Sequence, residues 1–360
     1  MRKDNVHLKL NELLDANARF DLAARGTTNH CPMALIALAE MGASPARLQA
    51  FFNMWEREFA LSAPPIDATI TRYEWARHVG NGDAFGALRL CFLSWIADIG
   101  HVPVITAVLQ EIPFAPAALA FHALIRLAYG MEAKHAGEIA SGLAALVSSH
   151  LSIDVQVDES RTAESAYAGI SKVVQAMSGV AFQGNSITSR LRAVAADERF
   201  AMAIQAPPAN PSLLDDLARA SISSYWQSPD FTVLHTVTAT RAARIVFAQL
   251  PETLVKQLLP HLWIALCAAY ATVGTQASLE ANTPEVEVDW MDIFRMAVAS
   301  DDDHVIKMVY TCFCEDRHHP SPLYRASAVR LLSLTPAGSD LTRRYGYCPK
   351  RCPVVITPMH

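Results

Sequence analysis

The 360-residue sequence has no G-x-x-x-x-G-K-[ST] phosphate loop, no G-x-S-x-G nucleophile elbow and no H-E-x-x-H zinc helix. These absences set aside P-loop nucleotide chemistry, the serine-hydrolase elbow and zincin-type hydrolysis. Gly80, Gly82 and Gly86 in "GNGDAFG" miss the G-x-G-x-x-G spacing, and no strand and helix flank them, so no dinucleotide fingerprint is present. The chain also lacks a basic block. Its 30 Lys and Arg against 35 Asp and Glu give a formal charge of −5, without arginines interleaved among aromatics, and nucleic acid is not expected as a partner. The N-terminus, "MRKDNVHLKLNELLDANARF", alternates charged and apolar residues as a surface helix does and has no continuous apolar h-region. The most apolar later stretch, "LLPHLWIALCAAYATVG", is interrupted by Pro260 and His261 and reads as a buried core helix rather than a membrane span. A soluble, cytoplasmic protein with no membrane partner is expected. Seven cysteines include no C-x-x-C unit; the spacing of Cys348 and Cys352 in "CPKRC" suits a metal or a disulfide, but reduced structural thiols are the expectation.

What is abundant is apolar residue at helical spacing. Hydrophobic residues make up 51% of the chain, ample for a core without staples. "MALIALAEMGA", "FGALRLCFLSWIADIG", "AALAFHALIRLAYGMEAKHAGEIASGLAALVSSHL", "TRAARIVFAQL" and "WMDIFRMAVAS" carry apolar residues at i, i+3, i+4 and i+7, with Ala and Leu dominating. Breakers fall between the runs, at "SAPP", "EIPFAP", "APPANP", "SPD", "ANTPEVEVD" and "HHPSP", and none is long or polar enough for an interdomain linker. "LSIDVQVDES" alternates as a short strand would, yet its acids suit a loop equally. No fixed-period repeat is visible. The expected fold is all-α: a single compact multi-helix domain over 1–360, with helix 1–25 and tail 331–360 peripheral.

Four of the 13 histidines sit inside apolar, helix-forming runs: His30 in "TTNHCPMALIALAEMGA", His122 in "AFHALIRLAYG", His235 in "DFTVLHTVTATRAAR" and His304 in "DDDHVIKMVY". A buried imidazole is costly unless both ring nitrogens find partners. Each alone reads as a hydrogen-bonded core histidine; together they point equally to a shared metal. Lys307 lies three residues after His304, about 60° away around a helix, so the two side chains share a face. It either snorkels to solvent or pairs with Asp303 or Glu315, or, as a desolvated neutral amine, adds carbon dioxide to become a carbamate, an anionic oxygen ligand.

These four blocks, taken in order from about residue 25 to about residue 330, resemble the questin oxidase-like family, whose fungal members open the ring of anthraquinones. The resemblance implies a helical, non-haem Fe(II)-dependent oxygenase that uses O2 for C–C cleavage or ring opening of a small phenolic, quinone-like or other electron-rich aromatic substrate. Its metal ligands would be His30, His122, His235 and His304 with carboxylated Lys307. "GEIASGLAALVSSH" lacks the Tyr-Trp pair of the family, and fungal members carry longer insertions, so iron chemistry is a firmer implication than a tricyclic substrate. Five protein ligands would leave roughly one octahedral position open. Reactions of this family are sometimes linked to NADPH, which without a fingerprint would serve only as a transient reductant.

Around this set, Arg126 and Tyr129 lie at i+4 and i+7 from His122, where Arg126 would hold a substrate anion and Tyr129 would donate a hydrogen bond. Asp303 either orients a ligand histidine or, as part of "DDD", stabilises a helix N-terminus. Thr236 and Glu132 are weaker candidates for similar support. The remaining histidines are not assigned to the metal. Two other classes stay open: a metal-dependent hydrolase on a helical scaffold and a non-catalytic helical binding protein.

Overall fold

The computed structural model describes residues 2–182, 186–274 and 286–334, and sixteen α-helices account for most of them. In chain order they are α1 (Arg2–Asn17), α2 (Cys31–Glu40), α3 (Pro45–Glu58), α4 (Phe85–Ile99), α5 (His101–Glu111), α6 (His122–Glu132), α7 (Ala136–Ser148) and α8 (Ala166–Ala176). There follow α9 (Ile187–Ala195), α10 (Glu198–Ala203), α11 (Leu213–Gln227), α12 (Phe231–Phe247), α13 (Glu252–Val273), α14 (Trp290–Ala299), α15 (Asp303–His318) and α16 (Pro322–Leu334). The all-α expectation holds. "LSIDVQVDES" is irregular until its closing turn, and the only sheet among the described residues is a small antiparallel one from short segments that periodicity did not reveal. Its strands β1 (Phe20–Ala24), β2 (Thr27–Thr28) and β3 (Ala60–Ser62) lie in the order β2-β1-β3. The first segment, expected to be one helix to residue 25, thus ends its helix at Asn17; that helix buries Leu10, Leu13 and Leu14 against α2 and α3.

Helix α13 runs unbroken through Pro260 and is long and apolar enough to cross a bilayer, yet most of its apolar stretch is buried within the fold. Pro260 is tolerated there as a mid-helix proline that removes one backbone hydrogen bond. The five cysteines among the described residues are free thiols, and "CPKRC" lies outside those residues.

Four helices form a closed ring of neighbours: α2 packs on α6, α6 on α12, α12 on α15, and α15 back on α2. Helix α7 backs this ring through an exceptionally close approach to α6. A Cβ at Gly142 would stand 2.5 Å from the Leu127 backbone, and one at Gly130 would stand 2.7 Å from the Ile139 nitrogen. Two glycines at the crossing let the helices meet backbone to backbone, which sets the depth of α6 in the core. Gly142→Ala should therefore destabilise the protein by about 1–3 kcal/mol, the usual range for overpacking a dense contact. Urea unfolding followed by circular dichroism would measure it, and an unchanged midpoint would mean that the crossing is looser than this.

Candidate metal centre

The ring of helices brings its N-terminal ends together. His30 is the N-cap of α2, His122 the first residue of α6, His304 the second residue of α15, and His235 lies one turn into α12. The hairpin of β1 and β2 delivers His30, with Gly26 at φ +76° making the reversal, and Pro32 starts the helix behind it. Helices α12 and α15 begin at aspartate caps: Asp230 accepts from the Thr232 and Val233 amides, and Asp302 from those of His304 and Val305. Asp302 is thus the capping acid of "DDD", while Asp303 faces inward and Asp301 pairs with Arg47 at 2.9 Å.

All four imidazoles that the sequence singled out converge. The ring centroids of His30 and His122 are 4.2 Å apart, those of His122 and His235 4.7 Å, His30 and His304 4.8 Å, and His235 and His304 5.6 Å. His30, His122 and His304 each offer a ligand nitrogen within 4.8 Å of the others. Each of the four rings turns one nitrogen to an anchor. His122 Nδ1 donates to the Leu119 carbonyl at 2.6 Å, His235 Nδ1 to the Phe231 carbonyl at 2.7 Å, and His30 Nδ1 to Asp303 Oδ1 at 2.7 Å. His304 Nδ1 lies 3.1 Å from the same Asp303 oxygen.

Those anchors fix the tautomers. Because carbonyls accept only, His122 and His235 must carry their protons on Nδ1, which leaves two Nε2 lone pairs facing each other 3.1 Å apart. Burial lowers the basicity of both imidazoles, His122 well below its ordinary value and His235 to about 3, so no proton bridges them near neutrality. Two neutral lone pairs at that distance call for an electrophile between them. His304 Nε2, buried and without a protein partner, adds a third, and His30 Nε2 meets only the Thr27 hydroxyl at 3.3 Å. Histidines that hold a metal through one nitrogen and give the other N–H to a carbonyl or carboxylate have this donor set. The residues fit a metal.

Lys307 joins the cluster at 3% exposure, its Nζ 3.3 Å from Asp303 Oδ1. As an amine it takes the Asp303 pairing; Glu315 is engaged by Arg244 instead. Burial lowers the Lys307 amine from its ordinary range, and Asp303 opposes that without cancelling it. Burial alone would raise the Asp303 carboxyl, but His304, His30 and Lys307 around it hold it well below the usual carboxylate range.

His122 needs an unusual seat. At the first residue of a helix it has no preceding helical turn, and Leu119, Ala120 and Phe121 supply one in left-handed conformation, with φ of 52°, 55° and 71°. Left-handed backbone costs non-glycine residues about 1–2 kcal/mol each, so the turn is strained. In return one carbonyl, that of Leu119, receives both the ring Nδ1 and the backbone N–H of His122.

Arg126 is buried and bidentate to Glu138, at 2.7 and 3.1 Å. It lines, with His122, Asn29, Thr28 and Leu119 among others, a small cavity of about 10 Å³, space for about one water. Tyr129 does not line it; its hydroxyl donates to the Lys307 carbonyl at 3.5 Å, and its ring lies beneath Arg241, which pairs with Glu132. Thr236 bonds Val233 and Tyr270 rather than the imidazoles. Sequence reasoning missed Glu138, Thr27 and Phe231, whose ring packs on His235 and His304 at 4.6 and 4.7 Å.

Comparison with known families bears on this geometry. The questin oxidase-like family model matches residues 27–228 and 217–312, most of the chain and all five clustered residues. The chain belongs to the questin oxidase-like family. It is therefore an oxidoreductase of the oxidase or oxygenase kind, acting on a small molecule. No curated protein matches the chain.

The buried imidazoles carry a pH signature in the metal-free protein. Above about pH 6.5 His235 is neutral folded and unfolded; between about 6.5 and about 3 only the unfolded chain takes up its proton, so stability falls with acidification through that window. His30, His122 and His304 shift in the same direction through burial. Denaturant titrations of apoprotein at stepwise pH should show this slope, and His235→Gln should remove up to about 1.4 kcal/mol per pH unit of it. An identical slope in the variant would mean that His235 is protonated when folded.

Proposed function

We propose that this chain is a non-haem Fe(II)-dependent oxygenase that uses O2 on an electron-rich phenolic or quinone-like small molecule, with iron held by His30, His122, His235, His304 and carboxylated Lys307. The observation that carries the reading is the pair of opposed His122 and His235 lone pairs, 3.1 Å apart, among four imidazoles whose other nitrogens are already bonded or next to Asp303. Iron held by these residues would supply the electrons for oxygen chemistry. The protein's part is to bind, orient and keep water out. The Leu119 and Phe231 carbonyls and Asp303 hold the imidazoles so that Nε2 points inward. Leu22, Met33 and Leu119 form the apolar side of the neighbouring cavity, which limits it to about one water. Glu138 takes two of the five N–H donors of Arg126 and leaves three to meet a substrate oxyanion. Tyr129 steadies the turn of α15 that carries Lys307.

Carboxylation follows from the same burial. The Lys307 amine, shifted toward neutrality, adds to the carbon of CO2; one N–C bond forms and one proton leaves, giving an anionic carbamate. That anion would stand beside Asp303, and two buried anions repel unless a cation lies with them. Carbamate and iron should therefore assemble cooperatively.

Protein purified anaerobically with bicarbonate should contain about one iron per chain by elemental analysis and consume O2 with a suitable phenol. Lys307→Ala and His304→Ala should each weaken iron binding at least about tenfold, and omission of bicarbonate should do so only where Lys307 is present. Zinc or manganese with turnover that consumes no oxygen would instead indicate a hydrolase. No metal at all would indicate a binding protein.

A further inference from the structure

The four imidazoles are not equally hidden. The His30 side chain is fully buried, whereas that of His304 keeps 15% of its surface exposed. Solvent therefore lies nearest the His304 edge of the cluster. Over that edge sits Phe231, 41% exposed, with its ring on His235 and His304 at 4.6 and 4.7 Å. A large apolar side chain left partly in water packs its inner side at a tilt against two imidazoles and so stands between them and solvent at that edge. The cavity beside His122, partly lined by half-buried Leu22, Thr28 and Leu119, has space for only about one water.

Phe231 is also built to move without disturbing what it covers. It is the first residue of α12, its backbone fixed because Asp230 caps the helix and its own carbonyl receives His235 Nδ1. The carbonyl seats the imidazole; the side chain, with two rotatable bonds, is free to swing toward solvent. Anchor and cover thus reside in different parts of one residue.

We propose that Phe231 is the gate and size filter through which small-molecule reactants reach the imidazole cluster. The proposal takes that cluster as the reaction site, as in the function proposed above, but the gate is testable without metal. Diethyl pyrocarbonate, a small reagent that modifies neutral imidazoles, serves as the probe, with modification read residue by residue by mass spectrometry on metal-free protein; exposed His7 reports reagent strength. His304 should react at least tenfold faster in Phe231→Ala than in the wild type, with Phe231→Leu between them and Phe231→Trp slowest. Rates that follow side-chain size while the melting temperature stays constant support the gate. An unchanged His304 rate in Phe231→Ala would overturn it, and so would rates that track melting temperature instead of size. If elemental analysis finds no metal while the graded rates persist, the iron reading fails and the gate stands.

Discussion

One carboxylate, Asp303, is the anion on which the centre depends. His30 Nδ1 at 2.7 Å, His304 Nδ1 at 3.1 Å and Lys307 Nζ at 3.3 Å all meet its Oδ1 atom. Around it converge the N-terminal ends of α2, α6, α12 and α15, where helix dipoles favour negative charge and disfavour protonated imidazole. Burial and dipoles act in the same direction: the rings stay neutral and the carboxylate stays ionised. A site made of neutral donors around a fixed anion is prepared for a cation, and the same field would favour a carbamate on Lys307 once that cation is present. The closed ring of four helices is what keeps these groups together, because each helix contributes one histidine near its start and packs on the helices that carry two of the others.

Much of this was legible in the sequence. An imidazole in an apolar helical run is conspicuous, and His30, His122, His235 and His304 all proved to belong to one cluster. The side chain of Lys307 was conspicuous for the same reason. The partners were less legible, since they depend on contacts between distant segments. Glu138 lies across the α6–α7 turn from Arg126, and nothing in "GEIASG" marks that acid as buried. The left-handed turn at Leu119–Phe121 carries no Gly or Asn to announce it, because tertiary packing rather than local preference enforces it. The sheet escaped because segments as short as "FDLAA" and "ALS" hold too few residues for a period to emerge. "DDD" offered two roles for one motif, and the structure divides them, Asp302 to the cap and Asp303 to the imidazoles.

Departures from locally comfortable structure gather at this centre. Several helices elsewhere start at ordinary side-chain caps, Ser44, Ser165 and Asp289 among them, and bury Leu, Ala and Phe. Within the ring of four, by contrast, stand three successive left-handed residues, a desolvated lysine, a sunken carboxylate and imidazoles whose lone pairs face each other. Each departure alone would lower stability, and the dense backing by α7 through Gly130 and Gly142 opposes their relaxation. Several of them are relieved together by a single change. A cation among the Nε2 atoms satisfies His304, separates the opposed His122 and His235 lone pairs and offsets the charge of the buried Asp303 carboxylate. Unrelated accidents of packing would have no common remedy, and that shared remedy is the strongest physical reason to read the cluster as a metal centre rather than as four separately hydrogen-bonded core histidines.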